Sequence, residues 1–137
     1  MDWAGTIARH VLYETADAIR IDALSSSDDP VVAGIAARIE REEVYHRMHA
    51  EMWLDRLLGS AEGRERLGTA LDDLWPYGLG VLDADQRPEL RRRLEERLGR
   101  PLPDAEPIER GRHEPELAEL LDEMTSVRRT APAGARW

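Results

Sequence analysis

Two long apolar-periodic segments separated by a short polar break constrain this chain more than any other feature. In the first, about Trp3 to Leu24, Ile7, Val11, Glu14, Ala18 and Ile21 recur at spacings of four and three, one face of a helix. The second, about Pro30 to Leu58, has a seam of Val32, Ile35, Ile39, Glu42, His46, His49, Trp53 and Leu57. That spacing is heptad-like, with polar residues at its centre. Between them lies Ser25-Ser26-Ser27-Asp28-Asp29-Pro30. Asp29 suits an N-cap and Pro30 the first helical position, so one helix stops and another starts. So short a link makes the two helices antiparallel neighbours, an αα-hairpin over about 3–58.

The rest of the chain reads as shorter helices. A third spans about Ala61 to Trp75, with Leu67, Ala70, Leu71 and Leu74 inward, and Pro76 ends it. Tyr77 to Asp85 is a glycine-containing loop, and an Arg-rich helix follows from about Pro88 to Leu98. Arg100 to Arg112 holds three prolines and reads as an extended connection. A last helix, about Pro115 to Arg128, carries Leu117, Leu120, Leu121, Met124 and Val127, and the tail from Thr130 to Trp137 is irregular. No β-rich segment, repeat or domain boundary interrupts this pattern. The 137 residues therefore form one all-α domain, residues 1–137, with C-terminal helices and tail over about 61–137.

Composition excludes several functions. The chain has no cysteine, which removes disulfides, thiolate metal sites and cysteine nucleophiles and fits a cytoplasmic location. Its net charge of −9 disfavours nucleic acid and anionic lipid. No apolar run approaches the roughly 20 residues of a membrane span, and Met1-Asp2-Trp3-Ala4 does not begin a signal peptide. Gly78-Leu79-Gly80 lacks the strand-then-helix context of a phosphate loop, and Ser25 to Ser27 have no histidine near them in sequence.

Chemistry concentrates in Glu42-Glu43-Val44-Tyr45-His46-Arg47-Met48-His49. Glu43 and His46 are three apart, neighbours on one helical face, and this is the Glu-x-x-His spacing of carboxylate-bridged di-iron bundles. A carboxylate can bridge two hard cations, and an imidazole one turn away can cap one of them. Glu14, mid-helix on the neighbouring element, can supply a second carboxylate. Glu14, Glu43 and His46 are thus candidate metal ligands, with Glu42 and His49 around them. An acid–histidine hydrogen-bond network satisfies the same groups without metal. Tyr45 can add a hydroxyl to that network or simply face a neighbouring helix. His10 and His113 read as surface or capping histidines, the tryptophans as packing, and Arg91-Arg92-Arg93 as a solvated face interleaved with Glu95 and Glu96.

These residues resemble a family. Thr6-Ile7-Ala8-Arg9, Ala23-Leu24-Ser25 through Asp29-Pro30, and Ile35-Ala36-Ala37 are similar to the middle of PaaC proteins, the non-catalytic C subunits of bacterial phenylacetyl-CoA epoxidase. Glu42-x-x-Tyr45-His46-x-x-His49-x-x-x-Trp53-x-x-Arg56-Leu57 carries the strongest similarity, followed by Leu71-x-x-Leu74-Trp75 with Tyr77. Near the end, His113, Leu120 through Glu123-Met124, and Arg128 through Trp137 resemble the family's C-terminus. The resemblance implies a ferritin-like helical bundle and a structural subunit paired with a catalytic, di-iron A subunit, PaaA, that epoxidises the ring of phenylacetyl-CoA. It covers about the second half of a PaaC protein. Where this chain has Glu43 the family usually has an apolar residue, and where it has Glu14 the family tends to have Asp.

Two expectations follow. The first is a half-length, ferritin-like assembly subunit, with no cofactor of its own, that completes its bundle by oligomerisation with itself or with a PaaA-like catalytic subunit. Ile7, Ile21, Ile35, Ile39 and Trp53 would otherwise lie uncovered, so the chain should not be monomeric. The alternative is an enzyme: a homodimeric di-iron or di-manganese oxidase or oxygenase in which two half-bundles each contribute Glu14 and Glu43-x-x-His46.

Overall fold

A computed structural model describes residues 2–132 and is all-helical over them. α1 spans Trp3–Ser25, α2 Pro30–Leu58, α3 Ala61–Val81, α4 Arg87–Leu98 and α5 Pro115–Thr130. Of the tail expected to be irregular, 133–137 lies outside the described residues, and Trp137 with it.

Local chemistry sets most of the boundaries. Asp2 caps α1, Asp29 caps α2 by accepting from the Val31 N–H at 2.8 Å, and Ser60 caps α3 by accepting from the Gly63 N–H at 3.0 Å. Pro30 and Pro88 sit in first turns, where a missing N–H costs nothing. Gly99 ends α4 in the left-handed conformation, φ 66°, that a glycine adopts without strain.

α1 and α2 form the expected antiparallel hairpin. α1 lies at the centre, against α2, α3 and α4. The core joins Ile7, Ala8, Val11, Leu12, Ala16 and Ile19 of α1 to Leu67, Leu71, Trp75 and Leu79 of α3. Ala50 and Leu54 enter it from α2, and Leu90 and Leu94 from α4. Ile7 and Ile21, expected to be uncovered, are therefore buried, because later parts of the same chain fold back over α1.

Two further expectations need correction. Pro76 does not end α3, which continues to Val81 and absorbs most of the expected glycine-containing loop. Gly78 and Leu79 press that extra turn onto the core, and the Ile108 N–H donates to the Pro76 carbonyl at 2.9 Å. Packing and a borrowed backbone bond thus offset the hydrogen bond that proline cannot make. Second, α2 turns a different face inward. Its buried residues are Ala36, Ala50 and Leu54, while Ile35 is 56% and Ile39 37% exposed. Small side chains let two helix backbones approach closely, so the alanines take the contact and the isoleucines are pushed to the flank. α5 buries no side chain among the described residues, and Leu120, Leu121, Met124 and Val127 remain exposed.

The arginines of α4 tie the elements together rather than forming only a solvated face. Arg93 reaches Asp22 of α1 at 3.0 Å. Arg97 reaches Glu51 and Asp55 of α2, each at 2.5 Å. Arg91 donates to the carbonyls of Leu102 and Pro103 at 2.7 and 3.0 Å, with its guanidinium over the Trp75 ring. The tryptophans are mixed: Trp75 is fully buried, while Trp3 is half exposed and meets Trp53 edge to face at 4.9 Å.

Candidate metal centre

The hairpin register places Glu14 of α1 opposite Glu43 of α2, with His46 one turn further along α2. One ligand atom from each of these three side chains lies within 4.8 Å of the others. Nδ1 of His46 and Oε2 of Glu43 are 2.7 Å apart. The α2 face that packs on α1 includes Glu43, so this carboxylate is 22% exposed, and Glu14 only 13%, while His46 remains 61% exposed.

The Glu43 charge lies close enough to act on the Glu14 carboxyl. Burial pushes the Glu14 carboxyl above its usual range, His10 opposes this, and the Glu43 charge adds to it. The hydrogen bond from His46 to Glu43, followed by the Glu43 charge, raises the His46 imidazole. Both shifts have the same physical origin, negative charge gathered in a partly buried place, which favours a cation there.

His10, read from sequence as a surface histidine, belongs to this group. Its Nε2 lies 3.6 Å from Oε1 of Glu14 and 3.4 Å from the His46 carbonyl oxygen, and its ring lies 5.6 Å from that of His49. The signal was present in the sequence, since His10 precedes Glu14 by one helical turn. His49 accepts from the Trp53 indole N–H at 3.1 Å and borders the cluster through His10. Glu42 is turned outward, paired with Arg38 at 3.2 Å, and the largely solvated Tyr45 does not join the network. His113 is exposed at the approach to α5.

Beside Glu14 a groove of about 270 Å³ opens between α1, α2 and α4, floored by Val11, Ala18 and Ala50 and walled by Arg47, Arg93 and Arg97. Two carboxylates and an imidazole at such separations, with a second imidazole 3.6 Å from Glu14, can hold a divalent cation or form a hydrogen-bonded network. Nothing in the arrangement resembles a nucleophile with its base.

Residues 1–104 match the family model described as phenylacetic acid catabolic protein, of the PaaA and PaaC type. The chain is also similar to the C subunit of 1,2-phenylacetyl-CoA epoxidase from Escherichia coli strain K12, 30% identical over 86 residues that make up 62% of this chain. Those residues cover 35% of the relative, so the chain spans about a third of its length. The C-terminal resemblance read from His113 onward lies beyond the residues the family model matches.

Proposed function

Because the chain belongs to the phenylacetic acid catabolic protein family of PaaA and PaaC type, we propose that it is a PaaC-like assembly subunit of a multicomponent oxygenase of the phenylacetyl-CoA epoxidase kind. It docks on a PaaA-like catalytic chain, on a second copy of itself, or on both, and ring oxidation takes place on the catalytic chain. One observation supports this most: the outer side of α2 carries Val31, Ile35, Tyr45, Met48 and Met52, each close to half exposed or more. Complete burial of such a side chain is worth roughly 1.5–3 kcal/mol, so covering several of them is a substantial driving force for association. No helix among the described residues is long and apolar enough to cross a membrane.

The test is co-purification of this chain with a PaaA-type catalytic protein, with Ile35→Lys combined with Met48→Lys as the control. Both side chains are more than half exposed, so the variant should keep its fold and lose the complex. Absence of any complex with the unaltered chain, or an equally stable complex with the variant, contradicts the proposal.

A second reading, a homodimeric di-metal oxidase or oxygenase, is favoured by the convergence of Glu14, Glu43 and His46. It requires both bound metal and a two-fold dimer, so a monomer or a metal-free protein after iron supplementation removes it.

A further inference from the structure

We propose that Glu14, Glu43 and His46 bind one divalent transition-metal ion within a single chain, with His10 as a fourth donor. The site depends neither on the assembly role nor on a second copy.

The first argument is distance. Nitrogen and oxygen ligands lie about 2.0–2.2 Å from zinc, so two ligands of one ion are separated by at most about 4.4 Å. The three donor atoms already lie within 4.8 Å of one another, so small side-chain rotations complete the shell. The Glu43–His46 pair must open from 2.7 Å, and the proton it now shares is what the cation replaces.

The second argument is the missing counter-charge. All 19 basic residues are arginine, and arginine is the cation in every other ion pair among the described residues. Glu14 and Glu43 are paired with His10 and His46 instead. Arg47 shares the groove with Glu14 without pairing to it. Two mostly buried carboxylates thus face imidazoles, which ligate metals through the nitrogens turned toward them. An arginine would fill the site with a group that is not a metal ligand, whereas a histidine adds a donor to it.

The donor set indicates the kind of ion. Two imidazoles and two carboxylates, with no sulfur, suit zinc, iron(II) or manganese(II), and the Irving–Williams order ranks zinc tightest among these. His46, largely solvated, provides a path of entry.

The experiment is calorimetric titration of the chelator-stripped full chain with zinc chloride and with manganese chloride, alongside sedimentation to fix its mass. Saturation at one zinc per chain, tighter than manganese, is the expected result. His46→Ala and Glu43→Gln should each weaken zinc binding by more than about tenfold, since loss of even an outer partner of a metal ligand costs that much. His10→Ala should weaken it less, and Glu42→Gln, at an outward-facing acid, should leave it unchanged. No saturable binding, one zinc per two chains, or equal affinity in His46→Ala overturns the proposal. Because His46 is exposed, His46→Ala stays folded and remains decisive even if a Glu14 variant does not. Failure to form a complex with the catalytic protein leaves all of these outcomes intact.

Discussion

The Asp2 carboxylate joins the start of α1 to α3: Oδ1 accepts from the Gly5 N–H at 2.8 Å, while Oδ2 accepts from Arg66 at 2.6 Å. These bonds, the Gly5 one first, hold the carboxyl below its ordinary value of 3.8. A carboxyl whose folded pKa is depressed stabilises the fold fully above its unfolded value, and that contribution is lost as pH falls through the folded one. Asp2→Ala should lower the melting temperature at neutral pH, and Asp2→Asn, which keeps a capping oxygen, should lower it less. Melting curves taken between about pH 6 and 2 should bring wild type and Asp2→Ala together at the acid end. A constant gap would contradict the assignment.

Glu89 receives both Arg92 and Arg93 at 2.7–2.8 Å, which holds its carboxyl at about 2 rather than 4.5. Its stabilising effect is therefore complete above about 4.5 and disappears as pH falls toward 2. Carbon-detected NMR titration of the side chain should give a midpoint far below that of an ordinary glutamate, and Arg92→Ala should move it upward. A midpoint near 4.5 in the wild-type protein would show that these pairs do not form in solution.

Trp75 is the largest fully buried side chain and joins α3 to the core. Trp75→Ala should cost about 3–5 kcal/mol in urea unfolding, the usual range for truncating a buried aromatic. Loss of less than about 1 kcal/mol would mean that the α1–α3 contact contributes little, as with a surface substitution.

Gly80 lies under the carbonyl of Ile108, and a Cβ there would collide with that oxygen. Gly80→Ala should detach the segment around Ile108 and expose its N–H, now bonded to Pro76, to hydrogen exchange. Gly68→Ala is the control, because its Cβ would meet nothing closer than 3.6 Å. Equal exchange in the two variants would contradict the docking of this segment.

Much of the fold was legible because it depends on neighbours in sequence. The Asp29-Pro30 start of α2 and the 3.6-residue periodicity of α1 are local signals, and each corresponds to an observed boundary or buried face. The grouping of Glu14, Glu43 and His46 was also readable, from an i, i+3 pair on one helix and an acid halfway along the other. His10 was missed because a lone histidine one turn from an acid is common on helix surfaces. Only the hairpin register brings His46 and His49 to it.

By itself the sequence determined the existence and order of the helices, the Asp29 cap and the antiparallel hairpin, because backbone hydrogen bonding and side-chain periodicity act over a few residues. Tertiary packing decided which face of α2 turns inward, since Ala36 and Ala50 allow a closer approach to α1 than the bulkier Ile35 and Ile39. It also carried α3 past Pro76, where the core contacts of Gly78 and Leu79 and the Ile108 bond outweigh one missing hydrogen bond. Periodicity marks an amphipathic face, but the energy of a face depends on what lies against it. That is why Ile21 is covered, Ile35 is half open, and α5 leaves Leu120, Leu121, Met124 and Val127 exposed.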